Sequence, residues 1–307
     1  MIYSDPVMKM KKQLQASLCL LLTTVIWGAA FIAQRVGMDY IGPFTFQTVR
    51  CTLAALFLFP VIFLFDRDKK AYFRQWKKPK LWKTGLICGA ALFVASGLQQ
   101  VGIQYTTAGK AGFITAMYIV LVPVLGLFLG RHVSPAAWIG VGLATAGLYL
   151  LSCAGVSKLN RGDVLLFGCA LAFAVQITLI DRLAVDLDSL RLNCIQSLVC
   201  ALLSAAVMAV SETFRWDVVL RCWLPLCYAG ILSMGVAYSL QIIGQRHLNP
   251  TAASLIMSME SVFAALFGWL LLRETMTAPE LAGCVLVFAA VILSQLPERL
   301  FRQKKHG

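Results

Sequence analysis

Long apolar runs separated by short polar or turn-forming breaks repeat along the whole chain. The runs fall at approximately 14–34, 43–65, 81–104, 109–129, 135–152, 162–181, 189–211, 221–245, 251–271 and 278–296. Each is 18 to 25 residues long, which predicts a helix able to cross ~30 Å of hydrocarbon at ~1.5 Å rise per residue. Turn chemistry marks the breaks: Ile41-Gly42-Pro43, Lys78-Pro79, Ser134-Pro135, Asn160-Arg161-Gly162, Asn249-Pro250 and Ala278-Pro279. Run 135–152 is the shortest, and the break at 105–108 is the tightest. The runs are continuously apolar and lack the alternation of barrel strands, which excludes a β-barrel.

Composition agrees with this pattern. Of 307 residues, 59% are hydrophobic and 13% charged, and mean hydropathy is +0.78. Globular proteins carry roughly 25% charge, so lipid is the expected solvent. Ten spans at ~20 residues each use about two thirds of the chain and leave no room for a soluble catalytic domain. The expected fold is an all-α integral membrane protein with ten transmembrane helices. The first run is longer than a signal-peptide core and no small-residue cleavage site follows, so it is expected to be the first of them.

The net charge of +13 could indicate nucleic acid in a soluble chain. Here its distribution matters more. An even number of helices puts both termini on one side. That side then collects nineteen of the twenty-seven Lys and Arg, the opposite side seven, and Arg50 lies inside the second run. This positive-inside bias predicts cytoplasmic tails at 1–13 and 297–307 and sets nucleic-acid binding aside. The ten cysteines lie almost all in apolar runs with no CxxC pair, as expected of buried free thiols.

The chain also resembles itself. Residues 108–152 align without gaps on 251–295, so that Leu127 meets Leu270, Gly140 meets Gly283 and Leu150 meets Leu293. Each half opens with a helix ending in a polar-Arg pair, Gln34-Arg35 and Asp181-Arg182. Two units follow, 14–152 and 162–296. Five helices is an odd number, so the second unit must enter the membrane upside down relative to the first. Inverted repeats of this kind are associated with alternating access around a site near the midplane.

The segments LLLTTVIWGAAFIAQRVG (20–37), PFTFQTVRCTLAALFLFP (43–60), TTAGKAGFITAMYIVLVPVLGLFLG (106–130) and LNPTAASLIMSMESVFAALFGWLLLRETMT (248–277) resemble the ten-helix, EamA-type members of the drug/metabolite transporter superfamily. The resemblance spans essentially the whole chain. It implies secondary transport of small metabolites or drugs, often export, across a bacterial cytoplasmic membrane. One departure is Gly130-Arg131-His132, where such repeats often carry an acidic residue; the second half keeps Arg273-Glu274.

Within the apolar runs Glu260 stands out, since no other acidic residue lies so deep. A buried intramembrane charge is costly, so it usually faces a cavity and serves function. A protonation switch or a contact to a cationic solute group is the functional reading; a structural carboxyl bonded to a neighbouring helix is the alternative. Its repeat counterpart, Met117, cannot titrate. Arg50 either snorkels to the interface or supplies an anion contact at the cavity. Lys110 begins the fourth run with a stem able to reach outer headgroups, and an anchor is its expected role. Trp27, Phe31, Tyr118 and Tyr238 are aromatics at mid-helix depth, with Trp27 and Tyr118 favoured because they carry polar handles. The amides Gln34, Gln99, Gln100, Gln176, Asn193, Gln196 and Gln241 exceed what packing requires, and Gln99 and Gln176 are the preferred cavity members. The expected substrate cavity is therefore Glu260, Trp27, Tyr118, Gln176, Gln99, Tyr238 and Arg50. Pro123 permits a kink, and Gly140, Gly147, Gly283 and Ala290 permit close packing of helices five and ten.

No catalytic, metal or cofactor site is expected. Ala108-Gly109-Lys110 lacks the Ser/Thr and upstream glycine of a phosphate-binding loop. The three histidines lie in loops or the tail, and Asp186 with Asp188 is too little for calcium. The sequence thus predicts a secondary active transporter, an exporter or exchanger of small organic metabolites such as amino acids or drugs. Its partners would be the solute, the lipid bilayer and, through Glu260, protons; monomer and homodimer both stay open. An integral-membrane lipid or isoprenoid enzyme would need clustered His, Asp or paired acids at a membrane face. A gated channel would need a filter loop or pore ring. The sequence offers neither.

Overall fold

A computed structural model describes residues 6–66, 69–153, 160–272 and 277–295. Lys158, Arg273, Glu274 and the 297–307 tail lie outside them. The described residues form helices α1 (Pro6–Gly37), α2 (Pro43–Phe65), α3 (Lys69–Trp76), α4 (Pro79–Gly102), α5 (Ala108–Ala116), α6 (Tyr118–Phe128), α7 (Pro135–Cys153), α8 (Arg161–Leu183) and α9 (Ser189–Ser211). They continue with α10 (Trp216–Arg221), α11 (Trp223–Cys227), a π-wound stretch Tyr228–Ala237, then α12 (Tyr238–Gln245), α13 (Pro250–Met257), α14 (Met259–Leu272) and α15 (Ala278–Gln295). Among the described residues, eight continuous segments are long and apolar enough to cross a membrane. Pro135–Leu150 and Ala278–Leu293 are apolar but shorter. Residues 6–13, assigned to a tail by sequence, begin α1, and the basic stretch after α2 contains α3.

Polarity runs opposite to that of a water-soluble bundle. Leu14, Leu18 and Leu22 line the outer face of α1 at i, i+4 and i+8, and each is at least half exposed. Gln34, Gln47, Arg50, Gln100, Gln176, Asn193 and Gln241 are buried. In water the outer stripe would be an aggregation surface, whereas in lipid it faces a solvent as apolar as itself.

Helix starts follow from local chemistry. Pro occupies the first turn of α2, α4 and α13. Asn160 and Asp163 form a reciprocal capping box on α8, while Asp188 and Asn249 cap α9 and α13. The start of α2 lacks a local side-chain cap. Glu212, beyond the end of α9, supplies it by accepting from Phe44 N and Thr45 N at 2.8 Å each and from Thr45 Oγ1 at 2.7 Å.

Helix α1 packs on α13–α14 and on the rod formed by the π-wound stretch and α12, as α8 packs on α5–α6 and α4. Helix α2 lies against α9 and the π-wound stretch, and α9 against α4. Helices α7 and α15 pack on each other, so closely that a Cβ on Gly147 would lie 2.7 Å from the Gly283 carbonyl oxygen. Exchanging first-half for second-half helices leaves this pairing unchanged. Hydrogen bonds repeat it at residue level. Gln47 donates to Ser96 and accepts from Arg50 Nε at 2.9 Å. Asn193, 146 positions later, donates to Ser239 Oγ and accepts from Gln196 Nε2, both at 2.9 Å.

Candidate functional site

Two apolar segments, Ala108–Phe128 and Pro250–Leu271, are interrupted in mid-course, at Met117 and Ser258. The ladder tightens there to i,i+3 spacing, as in Val120 N→Met117 O at 3.1 Å and Ser261 N→Ser258 O at 3.2 Å. Ser254, Ser258 and Ser261 each turn their hydroxyl back onto the carbonyl three residues earlier, a competition that bends helices. Tyr118 is the first residue after one break and Glu260 the second after the other. The two meet: Tyr118 Oη donates to Glu260 Oε1 at 3.0 Å.

Around this contact lies a narrow cavity of about 30 Å³, room for a few waters. Trp27, Ala30, Phe31 and Gln34 line it from α1, at the i, i+3, i+4, i+7 spacing of one helix face. Arg50, Gln99, Thr115 and Tyr118 line it from α2, α4, α5 and α6; Phe173 and Ile177 come from α8. With those two from α8, Ser233, Met234, Tyr238, Gln241 and Glu260 complete the second half's share of the lining.

Of the residues expected in the cavity, Glu260, Trp27, Tyr118, Gln99, Tyr238 and Arg50 line it together. Gln176 does not: it is fully buried elsewhere on α8, and neither of its amide atoms has a partner among the described residues. The Trp27 and Tyr238 rings pack at 4.9 Å between centroids, and Gln99 Nε2 reaches Thr115 Oγ1 at 3.4 Å.

Arg50 is 2% exposed and Glu260 4%. Neither has an ion-pair partner among the described residues. Arg50 is held instead by neutral amides, with Nη1 on Gln34 Oε1 at 2.7 Å, Nε on Gln47 Oε1 at 2.9 Å, and Nη2 also on Gln47. Gln47 Nε2 rests on Cys200 Sγ at 3.1 Å. These amides fix the guanidinium without neutralising it. Lys110 takes no part in this cavity; its Nζ pairs with Asp163 at 2.8 Å.

Thr115, Phe173, Ile177, Ser233 and Met234 were missed by sequence reasoning, because nothing in their residue type separates a cavity wall from ordinary packing. Phe31, Gln34 and Gln241, which the sequence singles out as aromatics and amides without placing them in the expected cavity, also line it, and Ala30 follows from Trp27 by helical spacing alone. Among the described residues, no three of His, Cys, Asp and Glu come together as a metal site.

Comparison with known proteins agrees with this architecture. The EamA-like transporter family matches the chain twice, at residues 14–153 and 160–296. An uncharacterized transporter of Archaeoglobus fulgidus is 34% identical over 93% of this chain and 87% of its own length. A Chlamydia muridarum S-adenosylmethionine/S-adenosylhomocysteine transporter is 25% identical over 83% of both chains. A solved crystal structure superposes with a TM-score of 0.79, covering 94% of this chain and 99% of the other at 18% identity, a likeness of fold.

Proposed function

The chain belongs to the EamA-like transporter family, and on that premise we propose that it moves a small zwitterionic organic solute by alternating access. It is a multi-pass membrane transporter. The observation that carries the finer reading is the cavity's basic and acidic side chains, Arg50 and Glu260, each buried and each without an ion-pair partner among the described residues. Buried charges are ordinarily paired. A solute bearing a carboxylate and an ammonium group supplies both missing partners, while the Trp27–Tyr238 pair offers an apolar wall.

The route across follows from the two halves. Ten helices form two inverted five-helix repeats over 14–152 and 162–296, with tails at 1–13 and 297–307 on the cytoplasmic side of a bacterial cytoplasmic membrane. The exchangeable pairing and the breaks in both α5–α6 and α13–α14 support this reading, since discontinuous helices near the midplane accompany such repeats. Export or exchange runs on proton movement through Glu260. The Chlamydia relative's named substrates carry amino-acid groups, which fits a zwitterion.

The experiment is counterflow in proteoliposomes with a panel of α-amino acids, their decarboxylated amines and their deaminated acids. Accelerated exchange is expected for zwitterions alone. Equal exchange of the amines or the acids would remove the two-charge reading, and ionic conductance in place of exchange would mark a channel.

A further inference from the structure

A second polar feature leads away from the central cavity. On α12, Tyr238, Gln241 and Gln245 recur at i, i+3 and i+7, which is one face of a helix. Tyr238 and Gln241 line the central cavity. Gln245 lines another cavity, of about 120 Å³, with Ile180, Asp181, Val185 and Arg246. Facing helix α8 repeats the arrangement, with Ile177 on the first cavity and Ile180 and Asp181 on the second. One helical turn, ~5.4 Å, separates the two spaces along the seam. It is bridged where Gln245 Nε2 approaches the Ile177 carbonyl oxygen at 3.5 Å, the outer limit of a hydrogen bond.

Orphaned acceptors mark the same seam. The side-chain oxygens of Gln241 and Gln245 are buried and have no hydrogen-bond partner among the described residues. A buried acceptor left so is costly unless water or a ligand satisfies it. The space beside Gln245 is polar and large enough for several waters. Its rim is charged: Asp181 pairs with Arg131, and exposed Arg246 donates to the Ala184 carbonyl at 3.0 Å. At the inner end stand Arg50 and Glu260 with the phenols of Tyr118 and Tyr238.

We infer that the α8–α12 seam is a hydrated passage, relayed by Gln241 and Gln245, that joins the central cavity to the face bearing Asp181 and Arg246. Its passengers are water and the proton exchanged at Glu260. The proton rests on the proposed role of Glu260; the passage itself does not. Gln245 is the constriction, since a small slide of α12 along α8 breaks its long bond to Ile177 and opens one space to the other.

The test places a thiol at the constriction. Gln245→Cys and Ile242→Cys proteins in nanodiscs are treated with a cationic methanethiosulfonate, and each site is followed by peptide mass spectrometry. Ile242 is fully buried in an apolar cluster one turn away. A thiol reacts as thiolate and therefore needs water, so Gln245→Cys is expected to label about tenfold faster than Ile242→Cys. Equal rates overturn the passage. Hydrogen exchange on the unaltered protein covers misfolding variants: faster exchange of 238–245 than of 194–201 in α9 supports the passage, and equal or slower exchange overturns it. In proteoliposomes loaded with the amino acid that shows counterflow, Gln245→Leu should slow uptake driven by a pH gradient while sparing exchange at equal pH. Loss of both, or of neither, overturns the relay. If Glu260→Gln leaves gradient-driven uptake intact, the proton role of Glu260 fails and the labelling result stands independently.

Discussion

The Tyr118 hydroxyl donates to Glu260 Oε1 at 3.0 Å, joining two helices at the points where each is interrupted. One residue comes from each half, so the bond holds the cavity's acid in place across the interface between the halves. It is also the one hydrogen bond that Glu260 receives from a side chain among the described residues.

Tyr118→Phe removes that donor and leaves a buried carboxyl group without it, which costs about 1–3 kcal/mol. Thermal unfolding in detergent should shift down by a few degrees, and the pH at which transport is half-maximal should move. In a Glu260→Gln background the same substitution should move that pH no further, because the group being tuned is gone. A further displacement in the double variant would show that Tyr118 acts on some other titrating group.

Arg50 presents a planar fork held by Gln34 and Gln47. Lysine keeps the charge but cannot span both amides or meet a carboxylate with two parallel bonds. Arg50→Lys is therefore expected to weaken solute binding by about 10-fold or more, corresponding to ~1.5–3 kcal/mol for a lost charge-assisted bond. Isothermal titration with the solute identified by counterflow checks this. Unchanged affinity in Arg50→Lys would reduce the residue to a structural cation.

Glu212 is expected to matter for stability rather than transport specificity. It closes three hydrogen bonds onto the start of α2 from beyond the end of α9, where a negative charge also meets the positive end of the helix dipole. Glu212→Ala should cost about 0.5–2 kcal/mol, as for a lost N-cap, and Glu212→Gln less, because an amide oxygen still accepts. Urea or thermal unfolding separates the two. Equal losses would assign the effect to charge alone.

Much of the helix pattern is legible in the sequence. Runs 43–65 and 189–211 coincide with α2 and α9 because proline and an acidic cap punctuate them on the scale of one turn. Glu260 and Arg50 announced themselves because a charge inside an apolar run is rare enough to need a reason. The breaks at Met117 and Ser258 had no such announcement, since neither residue is a helix breaker and the cause lies in serine back-bonding and tertiary contact. The Lys110–Asp163 pair has no sequence signal, because the two residues are 53 positions apart. Gln176 shows the opposite limit: polarity found it, yet which helix face it occupies depends on packing that no single-residue property encodes.

Ion pairs tie α5–α6 to α8 at both ends, and this sets the last expectation. Lys110 meets Asp163 near the start of α5, and Arg131 meets Asp181 just beyond the end of α6, where Arg182 also donates to the Leu129 carbonyl at 3.3 Å. The related contact of α1 with α13–α14 instead brings backbones together at Gly28, where a Cβ would lie 2.5 Å from Phe263 Cβ. Two clamped ends make α5–α6 and α8 one rigid unit, so that relative motion falls to the unclamped α1 side. Asp181→Arg would gather Arg131, Arg182 and Arg246 around a fourth cation and should destabilise by about 1 kcal/mol or more, since the pair is partly buried. Arg131→Asp should do likewise, and the Arg131→Asp/Asp181→Arg double variant should recover most of the loss in both melting temperature and transport rate. If the double variant is as impaired as the sum of the singles, the clamp is not what holds these helices together, and the asymmetry between the halves must be sought in the Gly28 contact.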